Sequence, residues 1–324
     1  MPPRKKQLRV FVLAWDWAVD VFRDIALPSL MQPDNIPWLV QNGYTVTMSC
    51  YTKPPNVPQL RTVFSEALTR FRFPPELMKI NVGAATIPDE DPGSFGMKRL
   101  AFLTECNYAI EQDSPVLFTA ADSFYGNGSV RNVCVYNQHP GMAIGAPYSR
   151  VRKGPFLQLL SEYRAKFGDA PVSNAKLVDM ALRCEISALV HSNVDVDKNA
   201  SFQSSGSFRK LTDELHVGIF HLPSPVMFWP RPSDVRFFDL WCGGIFSMLD
   251  HVWPAKLMTE RRWRTMASSD LFYMAELNDE RVESEHEYGL EEGRLYNESF
   301  EFVLPNTKAS EQILFTLRRE PYLS

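Results

Sequence analysis

What this chain of 324 residues lacks narrows its chemistry before anything it contains. Its five cysteines, at positions 50, 106, 134, 184 and 242, form no C-x-x-C pair, and their number is odd. That argues against a disulfide framework and against a structural zinc site; with mostly apolar neighbours, the cysteines read as core thiols. No apolar run approaches the roughly 18–20 residues that span a bilayer. Positive charge is not in excess: Lys and Arg number 34 against 38 Asp and Glu, a net charge of −4. Nothing global therefore draws the chain to a phosphate backbone or an anionic membrane. No G-x-G-x-x-G follows the first strand, and no G-x-x-x-x-G-K-[ST], G-x-S-x-G or H-E-x-x-H occurs. These absences set aside the dinucleotide fold, P-loop chemistry, the α/β-hydrolases and the zincin proteases. Internal repeats, low-complexity segments and Gly/Ser linkers are also missing, which favours one continuous body over two hinged domains. The opening "MPPRKKQLR" is basic, but the apolar piece at 10–14 is too short for a signal-peptide core. Residues 1–7 are expected to be a flexible basic tail, and a cytoplasmic location follows by default.

What is present is ordinary in bulk, 45% apolar and 22% charged, and patterned in detail. "LRVFVLA" (8–14) reads as a buried strand, β-branched and apolar with no helical period. "WDWAVDVFRDIALPSLM" carries apolar residues at helical spacing. Pro33-Asp34-Asn35 starts a further helix, Gly43 stops it, and residues 44–51 form a second strand. That is a β-α-β unit, which implies parallel pairing and a right-handed crossover. Residues 57–72 read as a helix and "LMKINVGA" as a strand. "FGMKRLAFLTECNYAIEQ" reads as an amphipathic helix with Leu100, Leu103, Cys106-Asn107 and Ile110 near one face. The first 150 or so residues thus alternate strand and helix, as in an open Rossmann-like α/β sheet. The second half is less regular. "NAKLVDMALRCEISALVHSNV" reads as a long helix, "NASFQSSGSF" as a polar loop, "LHVGIFHL" as a strand, "PAKLMTERRWRTMASSDLFYMAELN" as two helices, and "SFEFVLPNT" as a strand. The expected division is 8–155 as one α/β half and 156–324 as a second half packed on the same core.

The segment "SPVLFTAADSFYGNGSV" (114–130) holds the main candidate. Its apolar run ends abruptly at Asp122, followed by Ser123, an aromatic pair and two glycines. One reading makes Asp122 a turn-forming acid after a strand. The other makes it a metal ligand, because ligands of open α/β sheets sit beyond the carboxyl ends of the strands. A hard divalent cation bound with a diphosphate needs only one or two protein oxygens. Phe124 stands where a second acid would complete an Asp-x-Asp pair.

The order of features resembles the donor-binding core of the GT-A glycosyltransferases. It runs through a helix with Lys98-Arg99 near its start and Ala109 near its end, an apolar strand, Asp122, a turn and then Gly128-Ser129-Val130. "LPSLMQPDNIPWLV" and "FHLPSPVMFWPR" look like segments of a bacterial or phage group of glycosyltransferase-like proteins. The resemblance implies a GT-A-like mixed sheet flanked by helices, a nucleotide-diphosphate sugar such as a UDP-sugar as donor, and Mn2+ or Mg2+ as cofactor. It implies Asp122 as the metal acid, Lys98 or Arg99 near the phosphates, Trp15-Asp16 near the nucleotide, and Ser123 as a further donor-binding residue. His221, after "LHVGIF", is the histidine that would complete a manganese site; a hydrogen-bonded, partly buried histidine is the alternative. Asp270 resembles the acid that deprotonates the acceptor in inverting enzymes, while its residue type and setting equally suit an ordinary helix start capped by Ser268 or Ser269.

Asp195-Val196-Asp197 is a literal Asp-x-Asp, set among polar residues that also suit a solvated helix end. Gly243-Gly244 marks either a close backbone approach to a sugar or a tight turn. Trp229, Trp241, Trp253 and Trp263 are aromatic faces on which a sugar or base could stack. The expected activity is metal-assisted transfer of a sugar to an acceptor hydroxyl on a saccharide, a protein or a hydroxylated base in DNA. For DNA, "ERRWR" and "RVRKG" are the candidate basic segments. The rival reading is a non-catalytic nucleotide- or carbohydrate-binding protein with the same fold.

Overall fold

The strand read at 8–14 is β1, Gln7–Leu13, and it lies at the centre of the parallel part of the sheet. A computed structural model describes residues 6–84, 95–137, 139–146, 148–184, 206–210, 215–220, 224–241, 252–278 and 313–320. After β1, helical turns at Trp17–Val21 (α1), Phe22–Ala26 and Leu27–Leu30 (α2) precede α3, Ile36–Gln41. Then come β2, Thr45–Thr52, α4, Val57–Phe71, β3, Met78–Ala84, α5, Phe95–Glu111, and β4, Val116–Ala120. The helix α4 follows its sequence signals closely. Pro58 sits in its first turn, where no N–H is needed, and Leu60, Val63 and Phe64 recur on one buried face. Arg72, in the left-handed conformation, ends it.

Strands β1–β2, β2–β3 and β1–β4 all pair in parallel. Their order in the sheet is β4-β1-β2-β3, so the chain winds outward through β2 and β3 and then crosses back to the far side of β1. A topological switch point results between β1 and β4, the place where open α/β sheets hold ligands. Further along the chain run β5, Ser123–Tyr125, α6, Ser129–Tyr136, β6, Ala143–Ala146, β7, Ser149–Arg152, α7, Lys153–Phe167, and α8, Asn174–Cys184. Then follow β8, Gly206–Lys210, β9, Leu215–Phe220, β10, Ser224–Phe228, α9, Pro232–Trp241, α10, Val252–Thr259, β11, Trp263–Thr265, β12, Met274–Asn278, and β13, Ile313–Arg318. Among the described residues the sheet is a seven-stranded mixed one, β11-β6-β10-β4-β1-β2-β3, with β10 antiparallel to β4. The fold is mixed α/β, as expected. Two three-stranded sheets, β5-β12-β7 and β13-β9-β8, accompany it.

By contacts the chain divides into two compact units. The first comprises Met1–Ser123, Val130–Ile144 and Pro225–Leu249; the second comprises Phe124–Ser129, Gly145–Ser224 and Asp250–Ser324. In the first unit, Leu8, Val10, Val12, Val46, Met48 and Cys50 make one face of the parallel sheet, all essentially unexposed. The other face carries Phe11, which meets Phe102 of α5 and Phe118 of β4 edge-on.

Three local expectations are corrected. From residue 100 onward the buried residues of α5 are Ala101, Phe102, Glu105, Cys106 and Ala109, while Leu100 is exposed and Asn107 faces out. The face is rotated from the expected one because a buried ion pair, not an apolar residue, docks its middle. The segment after α10 is not a second helix: Trp263–Thr265 and Met274–Asn278 are strands, and β12 pairs in parallel with β7. "LFYMAELN" is aromatic enough to suit either period, and the available β7 edge decides the outcome. Gly206–Phe208, within the expected polar loop, open strand β8.

Candidate functional site

The carboxyl ends of β1, β2 and β4 converge because these strands are parallel neighbours: Leu13 pairs with Tyr51 on one side and with Ala120 on the other. Each strand releases polar residues at that edge. Beyond β1 come Ala14, buried, then Trp15, half-buried, and Asp16, exposed. Asp16 has φ of 53°, a left-handed conformation rare for a residue with a side chain. Such strain persists only where its surroundings hold it. Here the Asp16 N–H donates to Asn56 Oδ1 at 3.2 Å, and Lys53 Nζ lies 2.5 Å from Asp16 Oδ2. Both partners come from the segment just past β2. Lys53 and Asn56 escaped the sequence reading, although Thr52-Lys53-Pro54-Pro55 stands at a strand end just as Asp122 does.

Beyond β4, Ala121 and Asp122 make the turn into β5. Asp122 is half-buried. Ser123 is fully buried, and its hydroxyl has no hydrogen-bond partner among the described residues. Thr52 Oγ1, at the end of β2, is buried and unpartnered in the same way. Two orphaned hydroxyls at the ends of the strands that flank β1 are uncommon, since buried polar groups are nearly always satisfied. The edge thus carries the carboxylates of Asp16 and Asp122 and the Lys53 ammonium, with the buried hydroxyls of Thr52 and Ser123 at the same strand ends.

The direction of α5 brings its first turn to the same edge. Gln112, just past its end, hydrogen-bonds Arg9 near the start of β1, while Phe102 meets Phe11 further along. The helix therefore runs antiparallel to β1, and the backbone of Lys98 and Arg99 lies in the turn level with the carboxyl edge. Trp15, half-buried, and Trp17, 58% exposed, flank Asp16 in sequence. Trp229 and Trp253 are buried, and Trp229 Nε1 donates to Asp113 Oδ1 at 3.2 Å, so neither offers a stacking face.

The second unit holds Phe124 and Asp270. Phe124 is buried and meets Phe156 edge-on, as a core residue does. Asp270 lies in a turn of residues 268–271 that leads toward β12, not at a helix start. Its N–H donates to Ser268 Oγ at 3.2 Å, and its exposed carboxylate lies 3.6 Å from Arg318. The motif "GNGS" is explained here. Gly126 packs against Asn174, whose Oδ1 would lie 1.9 Å from a Cβ at that position. Gly128 has φ of 91°. Ser129 Oγ then donates to Asn174 Oδ1 at 2.8 Å and accepts from the Tyr273 N–H at 3.0 Å. These residues build a buried polar cluster within the second unit that ties the turn at 126–129 to α8 and to the approach to β12.

His221, Asp195, Asp197, Gly243 and Gly244 lie outside the described residues. Among the described residues no group of three or more His, Cys, Asp or Glu side chains is placed to hold a metal ion. Among the described residues no helix is long and apolar enough to cross a membrane.

No family model matches the chain, and no curated protein matches it. Solved structures do. Mouse xyloside xylosyltransferase 1, in its apo form, is 10% identical at a TM-score of 0.31, over 50% of this chain and 59% of that one. The inositol-1-phosphate CTP transferase from T. maritima is 11% identical at a TM-score of 0.26, over 48% of this chain and 57% of that one. The likeness spans about half of this chain and less than two thirds of either structure.

Proposed function

We propose that this protein is a GT-A-like glycosyltransferase that moves a sugar from a nucleotide-diphosphate sugar to an acceptor hydroxyl. The observation that carries the reading is Asp122, a half-buried carboxylate just past β4, at the switch point that β1 and β4 define. In this reading Asp122 tethers Mn2+ or Mg2+ against the donor's diphosphate, and the cation supplies Lewis-acid neutralisation of the leaving group. Ser123, with its spare hydroxyl, and the α5 turn bearing Lys98 and Arg99 serve the phosphates. Trp15 and Asp16 serve the nucleotide, with Lys53 holding the Asp16 carboxylate in place. Asp270 is the proposed base toward the acceptor; it is exposed and needs only reach to act. The acceptor is a hydroxyl on a saccharide, a protein or a modified base in DNA.

One observation favours the second reading, a non-catalytic nucleotide- or carbohydrate-binding protein. Phe124, where a second metal acid would stand, is committed to the core against Phe156.

The test is thermal unfolding with a panel of UDP-sugars, with and without Mn2+, followed by assay of sugar-nucleotide hydrolysis. Saturation near a hundredfold over Kd stabilises by about 2.7 kcal/mol. The enzyme reading expects stabilisation that requires Mn2+ and disappears in Asp122→Ala, together with donor hydrolysis. Equal stabilisation without metal, retained in Asp122→Ala and unaccompanied by hydrolysis, would establish the second reading instead.

A further inference from the structure

A second polar site lies at the opposite edge of the same sheet. Parallel strands are covered on both faces and normally read as apolar on both. At the amino ends of β1, β2 and β3 one face is instead polar. Gln7 pairs in register with Thr45, Arg9 with Thr47, and Thr47 with Lys79. These residues share that face because side chains alternate along a strand. With Asn81 and Gln112 they line a cavity of about 300 Å3. That is the lower end of the range for small-molecule sites, roughly 300–1,000 Å3.

The lining has hydrogen-bonding capacity that the protein does not use. Gln7 Oε1 is buried and has no partner among the described residues. Arg9 is 2% exposed, and its guanidinium donates to Glu105, Gln112 and Ser49 at 2.5, 3.0 and 3.1 Å. A guanidinium carries five N–H donors, so two remain. Thr47 is 7% exposed, and no hydrogen bond engages its hydroxyl among the described residues. Lys79 is exposed and has no acidic partner among the described residues. Burying such groups unsatisfied is costly, which is why they are rarely left so without a role.

Charge selects the ligand. Arg9 and Glu105 neutralise one another at 2.5 Å, which among the described residues leaves Lys79 as the uncompensated charge of the lining. The other groups are amides and hydroxyls suited to ligand hydroxyls. We propose that this cavity binds a small polyhydroxylated anion, of the size of one sugar ring, through Lys79 at its charge and Thr47, Gln7 and Asn81 at its hydroxyls. A sugar phosphate and a sugar acid are two sources of that chemistry. The site is distinct from the Asp122 edge, because Arg9 pairs with Val116 at the start of β4 and Asp122 follows its end.

Titration calorimetry of the full chain with glucose 6-phosphate, gluconate, inorganic phosphate and glucose tests the proposal. Binding of either sugar anion is expected, with affinity reduced about tenfold or more by Lys79→Gln and by Thr47→Val. Which anion binds identifies the source. Neutral glucose and bare phosphate are expected to bind more weakly than the sugar anion by a similar factor. Lys79 is exposed, so Lys79→Gln should retain the native melting temperature and isolate the binding effect. No heat from either sugar anion at about 10 mM, well past the weakest useful affinity, would overturn the site. So would affinities untouched by both substitutions. Binding lost in Asp122→Ala but kept in Lys79→Gln would move the ligand to the other edge and also end the proposal.

Discussion

At residue 126 an added methyl group would arrive 1.9 Å from Asn174 Oδ1 and 3.1 Å from the Asn174 Cα, a backbone atom that cannot swing aside. Gly126→Ala is therefore expected to destabilise by about 1–3 kcal/mol, the cost of overpacking, measured by denaturant unfolding. A wild-type midpoint in that variant would show that the helix bearing Asn174 gives way freely. The glycine was legible in the sequence as the mark of a sharp turn, but its reason was not, since Asn174 is remote in sequence. The cysteines follow the same logic. Burial pushes the thiols of Cys50 and Cys134 well above their ordinary range, and the Glu105 carboxylate adds to the burial of Cys106. All three were readable as core residues from their apolar neighbours. In native protein near pH 8 they should resist iodoacetamide and react only in denaturant; peptide mapping that finds them labelled in the native state would contradict this. Asp122 was readable because an apolar run stops at it. Lys53 was not, because its importance lies in the positive φ of Asp16, a backbone fact that composition does not encode.

Helix α5 is fastened by a buried ion pair. Glu105 accepts from Arg9 Nε on β1 and, through its second oxygen, from the Tyr51 hydroxyl on β2 at 2.9 Å. Burial and the neighbouring carboxylate raise the Tyr51 phenol well above its ordinary range, so it stays a donor at all working pH. Glu105→Gln leaves a guanidinium buried without its counter-charge, and a loss of about 3–5 kcal/mol is expected in chemical unfolding. A change below about 1 kcal/mol would mean that water reaches Arg9. The apolar period of this helix was visible in the sequence, but the buried face was not. A charged residue in a helix centre reads as solvated until its partner, 96 positions away, is known. The α10 end offers a pH-dependent case. Burial pushes the Glu260 carboxyl up, yet hydrogen bonds and charge from Lys256 and Arg262 outweigh it, so its pKa lies below the usual carboxylate range. A depressed folded pKa contributes stability above the unfolded value, about 4.3, that is lost as pH falls through the folded one. The stability gap between wild type and Glu260→Gln should accordingly shrink on acidification below about pH 4.3; a gap that stays constant there would remove the pair from the account. The strand β12 was expected to be helix because its apolar run satisfies both periods, and only the partner strand β7 separates them.

For the whole molecule, the alternation of strand and helix over the first half was legible because each element is bounded by its own turn residues and pairs with a near neighbour. The remaining sheet was not, because β10 reaches β4 from about a hundred residues downstream. That single long-range pairing bears on synthesis. While the ribosome extends the chain, β4 exposes a full row of unpaired amide and carbonyl groups until Ser224–Phe228 has emerged. Nascent polypeptide halted before that point should be sticky, and chaperone capture should drop sharply once the later segment zips onto the waiting border.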